Sequence, residues 1–208
     1  MPSVTEILDY STPPYLAKWF KNNSAAKCDK IALETSECGK LVDLSVQEDI
    51  KNGKYTMPVN DQNALNCLGQ WEQLKVDHPL FVPSIKEMQA EVRAFGIVGH
   101  PDFICQEENG WGVADLKCTS GIRAKNWIQE ATYAAMLMVE RGWAFPSFVR
   151  TLRLPRDGSA YEWLEIRDSK MIKSLMKMFD GYVEVFNSEK VINEFFRMQL
   201  EDQLLGGF

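Results

Sequence analysis

The sequence predicts an α+β (α/β-class) domain in which a central mixed sheet is flanked by helices and preceded by a helical N-terminal cap. Helical periodicity dominates the first 85 residues, short alternating runs bounded by turn residues follow, and helical periodicity returns after residue 168. An order of helices, strands, helix, strands and helices is typical of this class. We therefore expect one domain with a cap over residues 1–85, a sheet and helix over 86–168, and C-terminal helices over 169–208.

Composition limits the function classes. The chain has 208 residues, 45% hydrophobic and 25% charged, with a net charge of −6. This acidity disfavours a protein that holds many phosphates through a basic surface, but it is compatible with carboxylates that recruit divalent cations. With no membrane-length apolar run and no signal sequence, we expect no membrane association and a cytoplasmic location, the host cytoplasm for a phage- or virus-encoded protein. Five cysteines without a C-x-x-C pair predict reduced thiols.

Capping residues predict the N-terminal helices. Ser3 and Glu6 form a capping box that starts a helix over residues 4–10. Thr12 before Pro13 and Pro14 predicts a second helix start, since proline is tolerated in the first turn. Further helices are predicted over residues 35–50, ended by Asn52-Gly53, and over residues 61–77.

Alternation and turn residues predict the sheet, and helical periodicity predicts the elements around it. Strands are expected over residues 88–97, 101–106 and 111–117, the last two joined by a turn at 107–110. A helix is expected over residues 123–141, with Gly142 as its stop signal. A second hairpin over 147–154 and 160–166, then helices over 171–186 and 191–205, complete the chain.

Two acidic residues and a lysine mark the predicted hairpin. Asp102 begins one strand, and Asp115 and Lys117 lie near the end of its partner, so pairing brings the carboxylates together and alternation points Asp115 and Lys117 to one face. Carboxylates and the backbone carbonyl of Leu116 are suitable ligands for Mg²⁺ or Mn²⁺. The set predicts metal-dependent phosphodiester hydrolysis, in which Lys117 orients the attacking water or stabilises phosphorane charge.

The following helix and the loop before it add candidate residues. Gln129 and Tyr133 are one helical turn apart and share a face. Gln129 is predicted to act in catalysis by positioning, and Tyr133 either binds substrate or belongs to the core. Thr119, Ser120 and Arg123 are predicted to bind substrate near the end of the lysine strand, although a solvated helix start explains Arg123 nearly as well.

These motifs resemble the RecB-like branch of the PD-(D/E)xK nuclease superfamily. The matching residues are G-x-x-D at 99–102, D-x-K at 115–117 and Q-x-x-x-Y at 129–133. P-S-V-T-E-I-L at 2–8 is similar to the opening of mitochondrial genome maintenance exonucleases and related phage exonucleases. The resemblance implies the αβββαβ nuclease core, metal ligation by Asp102, Asp115 and the Leu116 carbonyl, and single-stranded DNA ends as substrate.

One departure from the family pattern concerns Asp43. Relatives place a metal-binding histidine four residues after a glycine, and this chain has Gly39 followed by Asp43. The resemblance therefore implies Asp43 as a further metal ligand, since a carboxylate also suits magnesium. The alternative is an aspartate on the helix surface without metal contact.

The sequence also has to be weighed against other functions. An exonuclease is favoured because nothing resembles a separate target-recognition domain. A nuclease of the CRISPR-adaptation type is disfavoured. Such relatives hold an iron–sulfur cluster with cysteines near the C-terminus, and no cysteine follows Cys118 in this chain. A structure-specific endonuclease stays open, and the intact acidic and lysine set argues against a DNA-binding module that only retains the fold. His100 and Glu91 are interpreted as a turn residue and a surface residue.

Overall fold

The computed structural model describes residues 1–9, 19, 21–56 and 60–205, with side chains described up to residue 190. The named helices are α1 (Val4–Asp9), α2 (Ala25–Asn52), α3 (Gln62–Asp77), α4 (Phe81–Ser84), α5 (Ala124–Arg141) and α6 (Ser169–Leu205). The strands are β1 (Ile85–Met88), β2 (Val92–Ala94), β3 (Ile97–Gly99), β4 (Phe103–Glu107), β5 (Gly110–Lys117), β6 (Phe148–Arg153) and β7 (Glu162–Ile166).

A mixed five-stranded sheet forms the centre, in the order β1-β4-β5-β6-β7. Its neighbouring strands are antiparallel except for β5 and β6, which are parallel and connected through α5. A separate two-stranded sheet pairs β2 with β3. The predicted fold class, a mixed sheet flanked by helices, is confirmed.

Alternating side chains of the sheet divide the core in two. Val113 and Val149 belong to one buried cluster with residues of α1, α5 and α6. Ala114, Leu116 and Leu152 belong to another with residues of α2 and α3. Helices therefore cover both faces, and a side chain on β5 faces α5 or the α2–α3 pair according to its position in the alternation.

The caps explain where the N-terminal helices begin and end. The Glu6 amide donates to Ser3 Oγ at 3.0 Å and the Ser3 amide to Glu6 Oε2 at 3.4 Å, which confirms the predicted capping box. Helix α2 begins ten residues earlier than predicted because Ser24 caps it by accepting from the Lys27 amide. It ends as predicted before Gly53, which has φ 72°. The helix start predicted after Thr12 lies outside the described residues.

The predicted single strand over residues 88–97 is wrong. Gln89 has φ 50° and interrupts the strand after β1, and Phe95 and Gly96 have φ 54° and 73°. Two successive left-handed residues form a tight hairpin turn, so the remainder folds back as β2 and β3.

The C-terminal prediction of two helices is also wrong. A single helix, α6, runs from Ser169 to Leu205. Asp168 Oδ1 caps its start by accepting from the amides of Lys170 and Met171. The segment between the two predicted helices, residues 187–190, contains neither glycine nor proline, so nothing local interrupts the helix.

Two further features concern the chain as a whole. The five cysteines are free thiols, four buried and Cys118 partly exposed. None of the helices in the described part of the chain is long and apolar enough to span a membrane.

Candidate active site

A pocket of about 330 Å³ opens where β4 begins and β5 ends. Five of the predicted catalytic, metal-binding and substrate-binding residues line this pocket, and residues near the N-terminus form one of its walls. The predicted residues that line it are Asp102, Asp115, Lys117, Gln129 and Tyr133, and the wall includes Ser3, Val4 and Thr5. Residues 97 positions apart in sequence, such as Thr5 and Asp102, thus share one small cavity.

Asp102 is fixed at the edge of the sheet by hydrogen bonds to both carboxylate oxygens. The Leu116 amide donates to Oδ2 at 2.8 Å, and Gln89 Nε2 donates to Oδ1 at 2.7 Å. The N–H and C=O of a strand residue point to the same edge of the strand, so the Leu116 carbonyl also faces Asp102. Burial and the nearby Asp115 carboxylate raise the pKa of Asp102 well above its ordinary value.

Asp115 and Lys117 lie two residues apart on β5 and both face the pocket. Lys117 Nζ lies 2.5 Å from Asp115 Oδ2, and this oxygen accepts no hydrogen bond of ordinary geometry from the described residues. Burial alone would lower the pKa of Lys117, but the carboxylates of Asp115 and Asp102 outweigh burial and raise it. Lys117 therefore remains a full ammonium beside the acidic pair.

Gln129 connects the lysine to the opposite wall. Its Oε1 accepts from Lys117 Nζ at 3.3 Å. Its Nε2 donates to Tyr133 Oη at 2.9 Å and to Thr5 Oγ1 at 3.1 Å. Tyr133 is buried in the core and also lines the pocket, so its core role is observed and its role in substrate binding stays a prediction.

Gly99, the first residue of the G-x-x-D motif, makes room for Tyr133. A Cβ atom at position 99 would lie 2.7 Å from Tyr133 Cε1 and 2.8 Å from Cδ1. Its φ angle lies outside the left-handed region, so close approach and not backbone conformation requires glycine here. The glycine thus lets the aromatic ring pack directly against the strand that leads to Asp102.

Glu130 is a site residue that the sequence analysis missed. It is fully buried, its Oε1 accepts from the Thr151 hydroxyl, and its Oε2 accepts no hydrogen bond from the part of the chain that the structure describes. Thr151 pairs in register with Asp115, which places Glu130 beside the acidic residues of the pocket. Burial, followed by the Asp115 charge, raises its pKa well above the ordinary value. No sequence signal separates this helical glutamate from an exposed one.

Gln89 is a second missed residue. Its backbone amide donates to the Asp102 carbonyl at 3.0 Å while its side chain holds the Asp102 carboxylate. The Gln89 side chain also lowers the pKa of Asp43, against the larger effect of burial. The left-handed backbone at Gln89, which ends β1, is what turns the amide toward both aspartates.

Asp43 and the three loop residues do not line the pocket. Asp43 lies on α2, where Gln47 donates to its Oδ2 at 3.0 Å and none of the described residues donates to its Oδ1. Burial first, and the Asp115 charge to a smaller extent, raise its pKa. Thr119, Ser120 and Arg123 lie on the connection between β5 and α5. The geometry therefore leaves metal binding by Asp43 and substrate binding by the loop as predictions.

The donor set suits a divalent cation. Four carboxyl groups, of Asp43, Asp102, Asp115 and Glu130, interact with one ammonium, that of Lys117. Two of them, Asp43 and Glu130, also carry a buried oxygen to which no described residue donates a hydrogen bond. Buried carboxylates are costly without compensating charge, and hard cations prefer oxygen ligands. A magnesium or manganese ion meets both conditions.

The carboxyl groups of the described residues do not, however, form a closed set of metal ligands. Within residues 1–9, 19, 21–56 and 60–205, no three His, Cys, Asp or Glu side chains converge as a complete metal-binding group. Magnesium usually keeps several waters and takes one or two carboxylates together with substrate phosphates. Asp102, Asp115 and the Leu116 carbonyl are the groups that would hold such an ion.

Larger cavities lie elsewhere but have a different chemistry. One of about 650 Å³ lies beside Arg150, which is buried and forms ion pairs with Glu107 and Glu165. Another of about 490 Å³ is mainly apolar. Because Arg150 in the first is already paired with carboxylates and the exposed surface of the second is mainly apolar, the smaller pocket is the candidate active site.

Comparisons with known proteins leave the family open. No protein-family model and no curated protein matches the chain. Among solved structures, SSO0001 is 18% identical with a TM-score of 0.30, over 55% of this chain and 56% of its own. An alkaline exonuclease, LHK-Exo from Laribacter hongkongensis, is 12% identical with a TM-score of 0.42, over 95% of this chain and 93% of its own. Its complex with dAMP is 12% identical with a TM-score of 0.39, over 79% and 85%. At these values the likeness establishes neither family nor activity.

Proposed function

We propose that this protein is a divalent-metal-dependent nuclease that hydrolyses phosphodiester bonds in DNA, acting as an exonuclease on single-stranded ends. The observation that carries the proposal is the junction of β4 and β5. There Asp102 and Asp115 line one pocket, with the Lys117 ammonium beside them, and the Leu116 amide donates to Asp102. Carboxylates that can hold a divalent cation, with a lysine next to them, suit metal-assisted phosphodiester hydrolysis.

Each group of the pocket has a role in this proposal. Asp102 and Asp115 hold the cation together with the Leu116 carbonyl. A bound Mg²⁺ or Mn²⁺ supplies Lewis acidity, which polarises the phosphate and favours deprotonation of water. The Lys117 ammonium stabilises charge on the phosphate and orients the attacking water. Gln129 holds Lys117 from the opposite side through its 3.3 Å hydrogen bond.

The preference for DNA ends rests on the motif resemblance and on the shape of the pocket. Ser3, Val4 and Thr5 close one side of a cavity of about 330 Å³. A cavity of this size is at the small end of ligand sites and suits a terminal nucleotide rather than a continuous duplex. Thr119, Ser120 and Arg123, on the connection after β5, are proposed to contact the rest of the strand.

Digestion of end-labelled linear single-stranded, linear double-stranded and covalently closed circular DNA tests the proposal. We expect cleavage of linear single strands with magnesium or manganese, none with a chelator, and circles left intact. Asp102→Asn, Asp115→Asn and Lys117→Met should each abolish turnover while the circular dichroism spectrum is unchanged. Equal loss of linear and circular DNA would replace the exonuclease with an endonuclease.

Glu91→Gln provides the matched control. Glu91 is an exposed carboxylate that pairs with Arg93 at 2.7 Å and does not line the pocket. This variant should retain wild-type rates. Metal binding without cleavage of any DNA would indicate a DNA-binding module. Wild-type turnover in Asp115→Asn would show that the pocket is not the active site.

A further inference from the structure

Strand β3 holds the N-terminal P-S-V-T segment, residues 2–5, against the pocket. The Val98 amide donates to the Pro2 carbonyl at 3.1 Å, and Ser3 forms a parallel bridge with Val98 on β3. Val4 follows, fully buried in the core. With Ser3 tied to β3 and Val4 buried, Thr5 is left exposed on the wall of the pocket.

The Thr5 hydroxyl is part of a chain of contacts that leads to the lysine. Gln129 Nε2 donates to Thr5 Oγ1 at 3.1 Å, and Gln129 Oε1 accepts from Lys117 Nζ at 3.3 Å. A primary amide donates only through nitrogen and accepts only through oxygen. The Lys117 ammonium only donates, so it takes the amide oxygen, and the hydroxyl oxygens of Thr5 and Tyr133 accept from the amide nitrogen and hold the other end of the group in place.

The orientation of this amide matters for Lys117. A lysine side chain is a flexible stem that ends in a point charge, so its position depends on the groups that hold the ammonium. Here those groups are Asp115 Oδ2 and Gln129 Oε1. A rotated amide would present its N–H groups to the ammonium and would lose this contact.

We propose that Thr5 is a positioning residue of the active site, which acts on Lys117 through Gln129. The inference rests on the proposed nuclease function and assigns a role to the N-terminal segment within it. Thr5 holds the Gln129 amide in place, and the amide gives the ammonium a second contact besides Asp115, on the side of the pocket where the phosphate would lie. The segment from Pro2 to Thr5 is thus part of the catalytic pocket and not only the start of a helix.

Thr5→Val and Thr5→Ser separate the hydroxyl from the shape of the side chain. Valine keeps the β-branch and removes the hydroxyl, whereas serine keeps the hydroxyl. The loss of one hydrogen bond made in the transition state corresponds to about a tenfold fall in kcat. We expect that fall in Thr5→Val with KM and the melting temperature unchanged, and recovery of kcat in Thr5→Ser.

A double-mutant cycle with Gln129→Ala tests the route. Thr5 and Gln129 are in direct contact, so their effects should be strongly non-additive. In the Gln129→Ala background, Thr5→Val should cause no further fall in kcat. Glu6→Ala serves as the control, because Glu6 completes the same helix cap without lining the pocket, and kcat should be unchanged.

The outcomes separate the two proposals. A wild-type kcat in Thr5→Val, an equal loss in the Gln129→Ala background, or an equally impaired Thr5→Ser would each overturn the role of Thr5 alone. In that case the wild-type protein would still cleave DNA with metal, and Asp115→Asn would still be inactive. Absence of metal-dependent cleavage by the wild-type protein would instead overturn the nuclease function itself.

Discussion

Gly99→Ala tests the packing beneath the site with the smallest change available. The added Cβ would lie 2.7 Å from Tyr133 Cε1 and 3.3 Å from Met136 Sδ. Ordinary contacts between carbon atoms begin near 3.4 Å, so the ring has to move by about 0.7 Å. Tyr133 is buried on a packed helix and has little free space into which it can move.

The cost follows from overpacking a well-packed core. An extra methyl group in such a place typically destabilises by about 1–3 kcal/mol. For a chain of this size, about 2–4 °C of melting temperature is lost per kcal/mol, so we expect a decrease of roughly 2–12 °C. Displacing the ring also lengthens the 2.9 Å bond between Tyr133 Oη and Gln129, so kcat should fall as well.

Thermal unfolding and DNA cleavage rates, measured on the same preparations, check this expectation. Gly69→Ala is the matched control: Gly69 lies within α3 and its added Cβ would meet nothing within 4 Å. Alanine is the better helix former by up to about 1 kcal/mol, so this control should be as stable as the wild type or more stable. In a Tyr133→Ala background, Gly99→Ala should cost little. Wild-type stability and activity in the single Gly99→Ala variant would refute the proposed contact.

Two further variants address the acidic residues around the pocket. Asp43→Asn should raise the magnesium concentration needed for activity and reduce the thermal stabilisation by magnesium, whereas Asp43→His should be partly tolerated; unchanged metal dependence would make Asp43 a structural residue. Glu130→Gln replaces a buried carboxyl group, whose Oε2 accepts no hydrogen bond from the described residues, with a neutral amide. The metal-free protein should therefore melt at a higher temperature and bind magnesium more weakly by calorimetry. A lower melting temperature with unchanged magnesium affinity would indicate that Glu130 only supports the fold.

The central part of the site could be predicted because its geometry is local. Asp115 and Lys117 share a face by alternation, and the two-residue turn between Glu107 and Gly110 sets the register that brings Asp102 to Leu116. The same reasoning failed for residues 88–97. There the turn is formed by Phe95 and Gly96, and a phenylalanine with a positive φ is not a turn signal that a sequence displays.

Glu130, Gln89 and Thr5 could not be found in this way, since tertiary packing alone brings Thr5 to the pocket and Glu130 and Gln89 next to its aspartates. Glu130 follows Gln129 in a helix, and its burial depends on how α5 is rotated against β5 and β6. Gln89 reaches Asp102 only because its backbone is left-handed. Thr5 is 124 residues from Gln129, and the bridge between Ser3 and Val98 together with the packing of α1 against α5 brings them into contact.

Helix α5 links the stability of the fold to the geometry of the site. It packs against α1, α6, β2, β5 and β6, and its core side chains include Ile128, Ala131 and Ala134. Gln129 and Tyr133 project from the same two turns into the pocket. Because side chains on one helix move together, a core change that rotates α5 also displaces the Gln129 amide from Lys117 and Thr5. The geometry of the site therefore depends on the packing of this helix. For this reason, a methyl group added at Gly99 should reduce both the stability of the protein and its rate of turnover.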